Sequence, residues 1–159
     1  MVLKKILLVC LGNICRSPMA EGILVHLVKE RRLIQSIELD SAGTGAYHIG
    51  SDPDPRAQST CLAKGITLHH KARQVTTQDF KTFDYIIAMD ANNYEALKQM
   101  APYAHVYLMR SFDPLSTQGL NVPDPYYGGV EGFEEVYEML YRSATGLLDH
   151  ILEEENNKK

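Results

Sequence analysis

Apolar residues fall along this chain in two alternating rhythms. The first is a short unbroken run, Ile6-Leu7-Leu8-Val9, preceded by Lys4 and Lys5. A strand with one wet face would alternate with polar residues. An unbroken run instead predicts a strand over Lys4–Val9 that is covered on both faces, as in a parallel sheet. The second rhythm follows at once: Met19, Ile23, Leu24, Leu27 and Val28 recur every three or four residues, one face of a helix. Ser17 is a capping type, Pro18 suits the first helical position, and Glu21 suits the first turn.

The alternation repeats to the end of the chain. Ile37–Ser41 predicts a second strand, closed by Ala42-Gly43-Thr44-Gly45. Asp54-Pro55-Arg56 starts a helix by cap and proline, running toward a stop at Gly65. Thr76–Lys81 reads as a short helix, Tyr85–Met89 as a third strand, and Asp90 as the cap of a helix ending near Pro102. His105–Met109 reads as a fourth strand. A long loop holds Pro114, Gly119, Pro123, Pro125 and Gly128-Gly129, and a last helix carries Phe133, Val136, Leu140, Leu147, Leu148 and Ile151. That stripe is core, not a cofactor box. The pattern predicts one domain over residues 1–155, an α/β three-layer sandwich whose central four-stranded parallel sheet is flanked by helices. Residues 156–159 are expected to fray.

Composition adds limits. At 159 residues the chain buries a proper core without staples. It is 45% hydrophobic and 23% charged, with no apolar stretch near membrane-spanning length. A net charge of −4 argues against nucleic acid as the partner. Three cysteines, Cys10, Cys15 and Cys61, make an odd count that implies no disulfide framework and favours a reducing, cytoplasmic setting.

The candidate chemistry sits where the first strand meets the first helix. Cys10 and Arg16 are separated by Leu11-Gly12-Asn13-Ile14-Cys15. A secretory leader is not expected, since the apolar run stops short of the ~7–15 residues such a segment needs. A zinc site is a poorer reading, because Cys-x4-Cys lacks a second ligand pair with zinc-finger spacing and no histidine completes one. A loop between a strand's C-terminal end and a helix N-terminus is where α/β sheets bind ligands, and its amides favour anions. Residues Leu11 to Ser17 can curl so that successive N–H groups meet one oxyanion. Gly12 and Asn13 are types that tolerate the left-handed angles of such a curl. Arg16 presents a planar fork to two phosphate oxygens. The helix N-terminus, the amides and Arg16 all favour the thiolate of Cys10, a nucleophile. The Ser17 hydroxyl is placed to donate to that sulfur and ease its departure. The competing reading is an inert cysteine at a strand end.

Transfer of a phosphoryl group from an aryl ester also needs an acid for the leaving oxygen. Pro123-Asp124-Pro125-Tyr126-Tyr127-Gly128-Gly129 supplies a carboxyl on a stiffened segment, and the two tyrosines can wall a slot for a flat ring. The competing reading is an Asp-Pro turn with its tyrosines packed as core.

VCLGNICRSPMAE together with DPYYGG resembles the low-molecular-weight protein tyrosine phosphatase family, and the likeness extends over nearly the whole chain. SAGT (Ser41 to Thr44), DPDPRA (Asp52 to Ala57), HKARQ (His70 to Gln74), FDYIIAMD (Phe83 to Asp90) and Asn93 extend it. The resemblance implies Cys10 as nucleophile, Arg16 as phosphate clamp and Asp124 as general acid. It implies a network of Asn13, Ser17 and His70 holding the loop, and Asp90 orienting Arg16. From the residues alone, His70 reads as a surface histidine and Asp90 as a helix cap. Tyr47 falls where many members carry a tryptophan or another aromatic at the pocket rim. For Cys15, physics leaves packing and redox capture of Cys10 evenly matched, and the resemblance favours capture.

The expectation is therefore a cytoplasmic, monomeric phosphatase acting on phosphotyrosine proteins or small aryl phosphates through a cysteinyl-phosphate, releasing inorganic phosphate. It expects no metal or organic cofactor and no nucleic-acid or membrane partner. Two alternatives stand beside it. An arsenate reductase on the same anion loop would need a relay of cysteines, and Cys61 is the only thiol outside the loop. A non-catalytic phosphotyrosine-binding module would be expected to lack Cys10 or Asp124.

Overall fold

The computed structural model describes residues 3–116 and 120–157. Four strands, β1 (Lys4–Cys10), β2 (Ile37–Gly43), β3 (Tyr85–Ala88) and β4 (Val106–Leu108), form one sheet in the order β2-β1-β3-β4. All three pairings are parallel, with Cys10 opposite Gly43 and Val9 opposite Ala88 at the C-terminal edge. Strand order reverses at β1, so the C-terminal end of β1 opens into the crevice where such sheets bind ligands. Cys10 stands there.

The unbroken run of β1 is buried on both faces. Ile6, Leu8 and Cys10 face one core with α1 (Arg16–Glu30), α2 (Pro55–Leu62) and α5 (Val130–Asn157). Leu7 and Val9 face a smaller core with Val75, Phe80 and Leu97, under α3 (Asp79–Thr82) and α4 (Ala91–Met100). Each fully buried aliphatic side chain contributes about 1.5–3 kcal/mol, enough in sum to hold the sheet between its helical layers. The expected three-layer parallel sandwich is the observed one.

Several boundaries differ from expectation for physical reasons. β1 continues through Cys10, because Gly43 pairs with it. β4 is shorter than His105–Met109, since Met109–Phe112 tighten into a 3₁₀ turn. α3 starts at Asp79, whose carboxylate accepts from the Thr76 amide and closes the turn ahead of it. α2 and α4 begin as expected: Asp54 accepts from the Arg56 amide, and Asp90 from the Asn93 amide. α1 does not. It starts at Arg16 with Cys15 at its cap and no side-chain capping bond, and Glu21 falls beyond the first turn. At the other end, α5 includes Asn156 and Asn157, where fraying was expected. Its last turns are pinned to the sheet by Lys4 on Glu155 and by the Tyr85 hydroxyl on Glu154. Lys158, Lys159 and the expected loop glycine Gly119 lie outside the described residues.

Candidate active site

The loop between β1 and α1 is held from outside by its carbonyls. Those of Cys10 and Leu11 accept from the Thr44 and Gly45 amides, and that of Ile14 from the Asp54 amide, at 2.8–2.9 Å. In a planar trans peptide the N–H points opposite the C=O. The amides of Leu11, Gly12 and Cys15 are therefore turned inward. Gly43 makes this closeness possible, because a Cβ there would lie 2.7 Å from the Leu11 carbonyl oxygen.

Asn13 locks the curl from within. It alone in the loop has a left-handed backbone, with φ 58°, a conformation that Asn tolerates better than other side chains. Gly12, expected to share that conformation, does not; a Cβ on it would instead come 2.8 Å from the His48 ring. The buried Asn13 amide donates to Ser17 Oγ at 2.8 Å and to Ser41 Oγ at 3.0 Å. Its oxygen accepts from the Arg73 amide at 3.0 Å and faces His70 Nε2 at 2.7 Å. With both Asn13 donors committed elsewhere, the His70 ring nitrogen is the donor of that pair. Ser41 donates onward to Glu21 at 2.6 Å.

Ser17 is diverted from capping by this network. Its oxygen accepts from Asn13, which leaves its proton for Cys10 Sγ at 3.0 Å. Arg16, only 3% exposed, donates through Nη1 to Asp90 at 2.5 Å and to the Val122 carbonyl at 3.0 Å. Its Nη2 lies 3.6 Å from Asp124. Burial disfavours its charge, yet Cys10, Asp90 and Asp124 outweigh that and hold the guanidinium above its ordinary range. Asp90 thus caps α4 and steadies Arg16 with the same carboxylate.

Above the loop opens a cavity of about 500 Å³. Cys10, Leu11, Gly12, Ile14, Cys15 and Arg16 form its floor, with Tyr47, His48, Asp124, Tyr126 and Tyr127 around them. Tyr126 and Tyr127 meet edge to face at 5.0 Å, and Tyr47 and Tyr127 are 75% and 91% exposed. The tyrosines are rim, not core. Asp124 is about one-third exposed and its Oδ1 accepts from the Tyr126 amide at 3.0 Å.

Cys10, Cys15 and Cys61 are all free thiols. Burial pushes the Cys15 thiol upward, and burial pushes that of Cys61 up to about 12. Cys61 packs in the core against α5 rather than in the cavity, where a relay would need it.

Three participants escaped the sequence. His48 lines the cavity 6.1 Å from the Tyr126 ring, and only its place beside Tyr47 hinted at this. Glu21, expected to serve the helix terminus, joins the Asn13 network through Ser41. Arg56 reaches across to the segment after Asp124, and nothing local to it signals that. His70 Nδ1 also lies 3.4 Å from Glu21 and 3.7 Å from Asp40, the one group among the described residues with metal-ligand spacing. All three side chains are engaged in the network behind the loop.

A thiol in an anion-sized loop, an arginine fork beside it and a carboxylate on the same cavity are the site of an α/β protein suited to handling phosphate. The profile of the low molecular weight phosphotyrosine protein phosphatases matches residues 5–158. A low molecular weight protein-tyrosine-phosphatase of Streptomyces coelicolor is 44% identical over 155 residues, 94% of each chain. Among solved structures, a protein tyrosine phosphatase from Entamoeba histolytica superposes with a TM-score of 0.91 at 37% identity, covering 96% of this chain and 99% of its own. An arginine phosphatase of Drosophila superposes at 0.87 with 36% identity, over 92% and 97%. The chain belongs to the low molecular weight phosphotyrosine protein phosphatase family.

Proposed function

We propose that this protein hydrolyses phosphotyrosine and small aryl phosphates through a cysteinyl-phosphate. The Cys10 thiolate attacks phosphorus in line with the ester oxygen. Arg16 and the inward amides hold the three equatorial oxygens, where charge is spread in the transition state. Asp124 delivers its proton to the departing phenolate. Water then attacks the thiophosphate, Asp124 takes the water's proton, and the sulfur leaves toward the Ser17 hydroxyl as inorganic phosphate departs. Arg16 carries this reading: one nitrogen is anchored on Asp90 and Val122, while the other faces Asp124 at the cavity that holds Cys10.

The aromatic rim favours a substrate on a flat stem. The Drosophila neighbour makes phosphoarginine a second reading, because a carboxylic acid overhead serves a guanidine leaving group as well as a phenol. A monomer in a reducing, cytoplasmic setting completes the proposal, with Cys15 as redox partner of Cys10. No helix among the described residues is long and apolar enough to cross a membrane.

The test uses phenyl phosphate and matched phosphotyrosine, phosphoserine and phosphoarginine peptides, with chelator present. Wild type is expected to turn over the aryl ester and the phosphotyrosine peptide, with kcat/KM for phosphoserine lower by at least ~100-fold. Cys10→Ser is expected to be folded and inactive. Activity in Cys10→Ser overturns the mechanism; a preference for phosphoarginine selects the second reading.

A further inference from the structure

Asp124 sits between two prolines, so its neighbours on both sides lack an N–H with which to pin the backbone. Two glycines follow at 128 and 129. Such a segment does not place a carboxylate by itself. Its local ties are the Tyr126 amide on Asp124 Oδ1 and the Gly128 amide on the Pro125 carbonyl, both made within the segment itself.

Besides Arg16, whose Nη2 faces Asp124 at 3.6 Å, the restraint from outside the segment comes from the second residue of α2. Arg56 donates through Nη2 to the Tyr126 carbonyl at 2.9 Å and through Nη1 to the Gly128 carbonyl at 3.1 Å. Its guanidinium lies over the Phe133 ring at 4.7 Å and the Tyr126 ring at 5.6 Å. The same fork is fixed from behind: Nε and Nη2 donate to the two oxygens of Asp54 at 3.0 and 2.9 Å. Asp54 is in turn tied to the nucleophile loop, its amide donating to the Ile14 carbonyl at 2.8 Å.

We infer that Arg56 is a positioning residue for the general acid, the strut that sets Asp124 over Cys10. The path is continuous: Ile14, Asp54, Arg56, then the Tyr126 carbonyl, with the Tyr126 amide holding Asp124 Oδ1. Four of the five guanidinium N–H donors are used in a rigid planar fork, which an ammonium cannot reproduce. Arg56 touches neither Cys10 nor the phosphate position. It acts through the acid loop, and so in the step that forms the thiophosphate its removal must be felt in proportion to how much the leaving group needs a proton.

This inference rests on the reading of Asp124 as the acid, and the experiment separates the two. Arg56→Ala and Arg56→Lys are made in wild type and in Asp124→Asn. Each is assayed with phenyl phosphate, a poor leaving group, and 2,4-dinitrophenyl phosphate, a good one. A displaced acid forfeits part of the roughly 10²–10⁴-fold it supplies. Arg56→Ala should therefore lower kcat/KM, which reports the step that expels the leaving group, by about 10- to 100-fold on phenyl phosphate and by less than about threefold on dinitrophenyl phosphate. Arg56→Lys should fall between, and it decides the matter alone if Arg56→Ala does not fold. In Asp124→Asn neither change should slow phenyl phosphate further. Equal slowing of both esters, or a full extra loss in Asp124→Asn, makes Arg56 a structural residue and overturns the inference. If Asp124→Asn by itself slows both esters alike, the acid assignment falls and takes this one with it.

Discussion

The nucleophile loop and the acid loop face each other across one cavity and are built on opposite principles. In the first, Cys10, Asn13, Arg16 and Ser17 are at most 3% exposed, and each has a buried hydrogen-bond partner, for Arg16 the Val122 carbonyl. In the second, Asp124 and Tyr126 are more than one-third exposed and Tyr127 is 91% exposed. On the roles proposed above, the difference follows from what each must hold. A dianion is stabilised by dipoles that do not reorganise, so its cradle is over-determined and dry. A proton donor needs only a correct distance, and a rim must admit substrate, so that segment is suspended at a few points. In the step that forms the thiophosphate, damage to the first should therefore be felt by every ester, and damage to the second only by esters that need an acid.

Asp124→Asn gives the widest separation. Tyrosine leaves as a phenolate whose conjugate acid has a pKa of ~10, and a general acid contributes roughly 10²–10⁴-fold. The loss of kcat/KM on phosphotyrosine should reach that range, while an ester with a strongly electron-withdrawing leaving group should lose less than about tenfold. Stopped assays of both esters on one preparation check it. Parallel losses would mean the acid loop is as much a part of the phosphate cradle as the loop beneath it.

The two regions also differed in how far they could be read from the sequence. The nucleophile loop is contiguous. An unbroken apolar run, Cys-x5-Arg and a helical stripe lie within 28 residues, so strand, curl and helix were each legible from local rules. Asp124 announced itself by its two prolines. What sequence alone did not yield are contacts between distant segments: Arg56 with Tyr126, His48 with Gly12, Glu21 with Ser41. Ser17 shows why local rules fail at a site. Its hydroxyl would have capped α1 in isolation, but Cys10 and Asn13 compete for it and win, and the helix starts without a side-chain cap. His70 and Asp90 were placed only by resemblance, because a histidine and a cap look ordinary until their partners 57 and 74 residues away are seen.

Oxidation should break the comparison from the other side, because it reaches only the nucleophile loop. Peroxide is expected to convert the Cys10 thiolate to a sulfenic acid; attack by Cys15 would then form an S–S bond and release water, and a thiol reductant would reverse it. Both residues line the same cavity, and the two are unlinked thiols in the structure. Burial pushes the Cys15 thiol up, so capture is slowed by its low thiolate fraction without being prevented. After a peroxide pulse, wild type is expected to recover most activity with reductant, whereas Cys15→Ala recovers several-fold less. Mass spectrometry should find the Cys10–Cys15 link. Equal recovery of both proteins would make Cys15 a packing residue.

The smallest expected effect lies behind the nucleophile loop, in the carboxyl of Glu21. Burial raises it to about 7, with Asp40 adding to the rise and Ser41 and Arg73 opposing it. In the unfolded chain it ionises near 4.5. Between those values the native state keeps a proton that the unfolded chain has released, so stability falls as pH rises through the window. The ceiling is about 3 kcal/mol. His70 works against this below its usual range: burial lowers it, Asp40 opposes that, and stability rises as the unfolded imidazole loses its proton. The two slopes oppose each other just below neutrality, and Glu21 prevails above. Glu21→Gln removes its slope while keeping an acceptor for Ser41. The Tm of the variant relative to wild type should therefore climb between pH 5 and pH 8 by about 3–8 °C. Calorimetric scans across that range check it. A gap that stays flat would mean Glu21 is ionised throughout, with His70 and Arg73 carrying its charge. The loop would then be held by ion pairs rather than by a shared proton.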